Sequence, residues 1–218
     1  MRIQGIRTRW KTKDERLKNV ITPATNNLFK TRDGRDGDVE RILIWRAGIF
    51  HTIVAKLIFV TKRARLDILL AVSFLTTRVK QPDCDDWNKT LRILGYLDET
   101  IGYHFNLICS DLKKLSWYID KSYALHSDMK GQSGAVLMTG DCAVLFKSNK
   151  QKVNTRGSTE TELIAVDDAL PTVQWTKSFM MEQGYNLDME IKEDNRSTLL
   201  LMRKWKIVIW QESKTSRY

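Results

Sequence analysis

Cysteine is scarce and scattered. Cys84, Cys109 and Cys142 are odd in number and lack metal-ligand spacing, so neither a disulfide framework nor a cysteine-held metal is expected. They read as reduced thiols of an intracellular protein. The basic runs are too dispersed to name a nuclear signal, so cytoplasm and nucleus are not distinguished. Long apolar runs are missing as well. Ile68 to Leu75, among the longest, falls far short of the roughly 20 residues that a membrane span needs. The basic N-terminus has no apolar h-region of the kind a secretory signal carries. No membrane role is expected.

What the chain does have is enough length and apolar content for a real core. With 218 residues it suits one large domain or two small ones. Its 42% apolar content is too high for a disordered chain. Its charge is strongly positive: 36 Lys plus Arg against 26 Asp plus Glu leave a net +10. Such a surplus favours polyanions, because cationic side chains attract phosphates and release their counterions. Many basic proteins bind nothing, so the charge selects a class of partner without proving one.

Along the chain, residues 1–48 are polar, carry charge clusters and lack sustained periodicity, which predicts a poorly ordered basic segment. A helical module is expected over 49–100. Phe50, Val54, Leu57 and Ile58 recur at helical steps, and Ile68, Ala71, Val72 and Leu75 mark a second helix. Pro82-Asp-Cys-Asp-Asp86 is a helix-start signal that places acids at the positive end of the dipole. Trp87, Leu91, Leu94 and Leu97 supply the third helix with an apolar stripe. The bland reading of these stripes, a core with solvated charged faces, needs no ligand.

After Thr100 the period changes. Leu115, Trp117 and Ile119 alternate with Ser116, Tyr118 and Asp120, as in a half-buried strand. Ala135 to Met138 and Cys142 to Phe146 follow, separated by Gly-containing turns, and predict an antiparallel meander. A helix is expected from Ser158, interrupted at Pro171 and restarted over 172–183, with Gly184 as its stop. Leu187 to Glu193 reads as a fourth strand and Ser197 to Arg203 as a last helix. Strands and helices in this order make an α+β domain with a mixed sheet over 113–204.

Three carboxylates stand out on these elements. Asp120 ends the first strand, Glu162 lies early in the helix, and Asp194 follows the fourth strand. At about 100° per residue, Glu162 falls within the stripe of Leu163, Val166, Ala169 and Leu170, whereas Glu160 points to the polar side with Asp167. A carboxylate in an apolar stripe must be paired or bound to cations. Simpler readings stand beside this one. Glu162 could close a capping box with Thr159, Asp120 could be a turn residue, and Asp194 could cap the following helix.

The ordered motifs Tyr118-Ile-Asp-Lys-Ser-Tyr-Ala124, Lys147-Ser-Asn-Lys-Gln151, Ser158-Thr-Glu-Thr-Glu-Leu163 and Glu193-Asp-Asn195 resemble the ribonuclease H (RNase H) domain of copia-type retrotransposon polyproteins. Upstream, Phe50 to Leu57, Lys62-Arg-Ala-Arg-Leu-Asp67 and Trp87 to Leu97 resemble the helical connection that joins reverse transcriptase to that domain. The resemblance covers about residues 50–202. It implies an RNase H-like fold in which Asp120, Glu162 and Asp194 are the catalytic, metal-binding carboxylates. Asp120 would bridge two Mg²⁺ ions, which Mn²⁺ could replace, and the substrate would be the RNA strand of an RNA–DNA hybrid. Two ions about 4 Å apart activate the attacking water and stabilise the leaving oxygen. Lys147, Lys150, Gln151 and Lys152 are the expected phosphate-backbone contacts, with a solvated basic turn as the alternative. A reverse transcriptase polymerase domain of the parent polyprotein is an expected partner.

The pattern is also broken. No Tyr-x-Asp-Asp polymerase motif occurs, so no polymerase activity is expected from these residues. Gly157 and Leu66 stand where the family usually has Ser and Pro, both minor changes. More seriously, the family continues past its last catalytic Asp into a Ser-rich, Lys-Arg stretch and a histidine, near which the fourth site group lies. Here 205–218 reads Trp-Lys-Ile-Val-Ile-Trp-Gln-Glu-Ser-Lys-Thr-Ser-Arg-Tyr, and no histidine follows His126. Codons for this tail, read in a shifted frame, can spell the family's Asn-Gly-Lys-Ser-Ser-Ser-Gly-Lys-Arg-Val-Lys-His, which implies a frameshift near Lys204. Two expectations follow: an RNase H-type enzyme with impaired turnover, or an inactive retroelement relic that binds nucleic acid weakly and without sequence preference.

Overall fold

The computed structural model describes residues 19–31, 41–109, 113–193 and Thr198. Its helical half comprises α1 (Ile44–Thr61), a single 3₁₀ turn (Leu66–Ile68), α2 (Leu69–Thr76) and α3 (Cys84–Glu99). Helix α1 begins well ahead of the expected Phe50. Leu28 and Ile42 are buried in the same core as Phe50, Ile53, Val54 and Leu57. Part of the segment expected to be poorly ordered therefore belongs to the helical unit. By length and composition alone α1 is apolar enough to cross a membrane. Arg46, His51 and Lys56 interrupt its apolar runs, which is why no long run shows in the sequence.

The start of α3 follows its signal. The Asp83 carboxylate accepts from the Asp86 N–H (2.7 Å) and the Asp86 carboxylate accepts from the Asp83 N–H (3.1 Å), a reciprocal capping box. Arg78 bonds both acids, at 2.9 Å from Asp86 and 3.2 Å from Asp83. Drawing Asp86 inward turns the helix, so Trp87, Thr90, Ile93 and Tyr96 face the core. Leu91 and Leu94, expected in the stripe, lie half-buried at its margin.

The second half is a four-stranded mixed sheet: β1 (Lys114–Ser122), β2 (Gln132–Thr139), β3 (Cys142–Lys150) and β4 (Asp188–Lys192). The order is β3-β2-β1-β4, with the first three antiparallel and β4 parallel to β1. Helix α4 (Ser158–Glu182) packs across β1 and β2. Strand alternation puts Leu115, Trp117 and Ile119 inward against Ala165, Val166, Ala169 and Val173. This α+β arrangement is compatible with the expected RNase H-like sheet.

Pro171 does not divide the helix. It removes the N–H that would reach the Asp167 carbonyl, and its ring crowds that carbonyl. Both residues are exposed, so water can satisfy that carbonyl, while Ala169, Val173 and Thr176 keep one continuous buried face. Gly184 ends the helix as expected, at φ +85°. The Tyr185 N–H reaches the Met180 carbonyl and the Gly184 N–H reaches that of Met181, a Schellman-type close.

The two halves share a seam. Ser73 on α2 donates to the Ser148 carbonyl (2.5 Å), and the Lys62 ammonium donates to the Phe146 carbonyl (2.9 Å). The Gln132 amide N–H₂ donates to Ser73 and Ser148 hydroxyls, and its carbonyl accepts from His126 Nε2 at 2.9 Å. His126 lies against Phe29 and Phe74. Burial holds its imidazole below the ordinary range; the Gln132 bond opposes that shift, and Lys150 reinforces it.

Candidate active site

Glu162 is 5% exposed and lies in the first turns of α4, on the side that faces the sheet. The capping reading of this residue does not hold. The end of α4 carries no side-chain cap, and the glutamate that reaches back is Glu160, which accepts from the Arg156 N–H at 2.7 Å. Glu162 is instead held by a cation and a hydroxyl. The Lys121 ammonium lies 2.8 Å from its Oε1, and the Thr198 hydroxyl donates to its Oε2 at 2.9 Å. A buried carboxylate needs such partners, since leaving it bare costs several kcal/mol.

Lys121 comes from β1 and ties the strand end to the helix start. Its ammonium also donates to Ser158 Oγ at 2.6 Å, and its backbone N–H donates to Asp120 Oδ1 at 2.7 Å. Asp120 is exposed, within β1 rather than in a turn, and opposite Gly134. The Lys121 side chain thus brings the strand end and the helix start together, whereas the bond to Asp120 is a local one from the next residue's backbone N–H. Asp194 lies outside the described residues, as do residues 205–218. The parallel ladder between β1 and β4 runs as far as Tyr118↔Lys192.

The basic group at the end of β3 is less uniform than its sequence. Lys147 donates to Thr172 Oγ1 on α4, Lys150 pairs with Asp128 at 2.9 Å, and Lys152 is exposed. Gln151 is 1% exposed. Its amide donates to Ser133 Oγ and to the Thr161 carbonyl, both at 2.9 Å. It braces the start of α4 from within, next to Glu162, rather than presenting an amide to a ligand. The polar residue following three basic or polar ones offered no periodicity from which burial could be read.

Among the described residues no group of three His, Cys, Asp or Glu side chains could hold a metal. The donors present are still of the right kind. Asp120 and Glu162 offer carboxylate oxygens, which suit a hard divalent ion, and Glu162 already has a cation on Oε1 in the form of the Lys121 ammonium. The residues that sequence reading missed are Lys121, Ser158 and Thr198. Lys121 could have been suspected because strand alternation puts it on the same face as Ile119, towards α4.

No family model matches this chain. A stretch of 124 residues, 56% of the chain, is 31% identical to the "Retrovirus-related Pol polyprotein from transposon RE2" of Arabidopsis thaliana and covers 8% of that polyprotein. Over 168 residues, 77% of the chain, it is 27% identical to the "Retrovirus-related Pol polyprotein from transposon TNT 1-94" of Nicotiana tabacum, covering 13% of it. It is also 27% identical over 124 residues to "Secreted RxLR effector protein 161" of Plasmopara viticola, covering 87% of that protein. The chain therefore spans a small part of the polyproteins it matches, and most of the effector. The likeness to retrotransposon Pol polyproteins supports a retroelement-derived chain.

Proposed function

We propose that this retroelement-derived chain is an RNase H-like hydrolase of the RNA strand in RNA–DNA hybrids, with Asp120, Glu162 and Asp194 as its metal-binding carboxylates. The observation that carries the reading is Glu162: a buried carboxylate, held by a cation at the point where α4 meets the end of β1. Two Mg²⁺ ions, when bound, would supply an activated water and stabilise the departing oxygen. The chain's own residues do the positioning. Thr198 orients the Glu162 carboxylate through Oε2, and Gln151 and Ser133 brace the backbone at Thr161. Lys152 and the ammonium groups of Lys147 and Lys150 provide positive charge for a phosphate backbone without reading its sequence. A polymerase domain elsewhere in a parent polyprotein would hold the hybrid in register.

Cleavage of a labelled hybrid by the full chain, in Mg²⁺ and in Mn²⁺, tests this beside Asp120→Asn. Cleavage that disappears in the variant is the expected result. No cleavage from protein shown to be folded would favour the second reading, a relic that binds nucleic acid through its net charge of +10. That reading predicts hybrid binding that weakens steeply with salt and is unchanged by Asp120→Asn.

A further inference from the structure

Lys121 has no part in the proposed chemistry, yet it is the residue that holds the site together. Its side chain is 13% exposed, and its ammonium lies between Glu162 Oε1 and Ser158 Oγ. Both oxygens of Glu162 are engaged, one by this ammonium and one by the Thr198 hydroxyl. Each oxygen keeps a further lone pair, so an ion can bind beside the neutral hydroxyl, but on Oε1 it meets a like charge in the ammonium. Thr198 is fully buried and its hydroxyl sits on a short side chain. Lys121 has a flexible four-carbon stem at the solvent edge, so it is the partner that can leave.

We infer that Lys121 is a built-in competitor for divalent cations: its ammonium occupies Glu162 in the metal-free protein and swings out when an ion binds. The inference rests on Glu162 being a metal ligand. An ammonium and a divalent ion seek the same carboxylate oxygen, and their charges repel if both stay within a few ångströms. Ser158, which accepts from the ammonium, holds it in the blocking position. The site therefore stays neutralised and folded without metal, and takes up an ion only when that ion outcompetes the lysine.

Mn²⁺ titration of the purified full chain, followed by electron paramagnetic resonance of the free ion, tests the idea without relying on cleavage. Lys121→Met and Lys121→Gln should bind Mn²⁺ about fivefold more tightly, the equivalent of losing one competing ion pair of about 1 kcal/mol. Lys121→Arg keeps the charge and should bind no more tightly than the native chain. Thermal melts without metal provide the second readout. Lys121→Met should melt lower than the native chain because Glu162 loses its partner, and Mn²⁺ should raise its melting temperature by more. Lys121→Gln retains a donor for Glu162 and covers the case in which the methionine variant does not fold. Native protein that binds Mn²⁺, with Met and Gln variants that bind it no better, would overturn the inference while leaving the site assignment intact. Binding unaffected by Asp120→Asn and Glu162→Gln would place the ion elsewhere and remove the assignment itself.

Discussion

Gly131 and Gly48 should respond to the same substitution with opposite signs. Gly131 joins the β1–β2 turn to the base of the site. A Cβ added there would lie 2.6 Å from Gln151 Oε1, 2.9 Å from the Ser122 carbonyl oxygen and 2.9 Å from Thr161 Cγ2. Two of these neighbours cannot move cheaply. Ser122 is backbone paired with Gln132, and Thr161 sits on α4. Gln151 could swing its amide away, but only by giving up its bonds to Ser133 and Thr161. Overpacking of this kind costs about 1–3 kcal/mol, and the loss of one such hydrogen bond adds about 1 kcal/mol. Removing a glycine from the unfolded chain returns about 0.4–1 kcal/mol. The net expectation is a loss of about 1–3.5 kcal/mol for Gly131→Ala. Gly48 is exposed in the interior of α1, and nothing lies within 4 Å of its added Cβ. There the same change should gain about 0.5–1 kcal/mol. Urea unfolding of the full chain reads both, as midpoints at unchanged slope. A neutral or stabilising Gly131→Ala would refute the tight junction described between β1, Gln151 and α4.

The buried acids at the start of α3 carry a second expectation. Asp86 is 1% exposed and faces Arg78, so Arg78→Ala should destabilise by roughly 3 kcal/mol in urea unfolding, the usual cost of stranding a buried charge. Stability should also fall with acid at the seam. The folded pKa of His126 is lowered from 6.5 chiefly by burial, so the unfolded chain binds the extra proton first. The stabilising contribution is complete above pH 6.5 and is lost as pH falls through the lower folded value. Melting temperature should drop across that window, and His126→Gln should flatten the drop; an unchanged slope would count against it. Facing charges are Lys150, which reinforces the shift, and Asp128, which opposes it. If the lysines at the end of β3 touch phosphate, Lys147→Ala with Lys152→Ala should reduce the salt slope of hybrid binding by about 1–2 and weaken all sequences alike.

How much was legible in the sequence varies with the physics involved. Leu115, Trp117 and Ile119 reveal β1 because one buried face imposes strict alternation, and Gly140 marks the β2–β3 turn; Gln132-Ser-Gly134 reads as a turn from its glycine but lies within β2. Glu162 is legible as unusual because a carboxylate on an apolar helix face demands a partner. Strand alternation points Lys121 towards α4, but its pairing with Glu162 is not legible, since the two lie far apart in sequence and meet only through the packing of α4 on β1. The continuity of α4 through Pro171 is not legible because the buried face of Ala169, Val173 and Thr176 carries the helix past the proline, and that packing is a tertiary property. The α3 stripe was slightly rotated for a similar reason: Arg78 pulls Asp86 inward, and an inward acid is invisible to hydrophobic periodicity. Gln151 went unread as a brace because buried amides have no sequence signature.

Strand β3 is an edge of the sheet, and edges invite further strands. Here the carbonyls of Phe146 and Ser148 are already occupied, by Lys62 and Ser73 from the helical half. The helices thus serve the sheet as a selvedge, finishing a border that would otherwise fray into its neighbours. A fragment trimmed to begin at Lys113 would bare that border together with Gln132 and His126. Its tendency to self-associate would then reveal the missing hem rather than any property of the site.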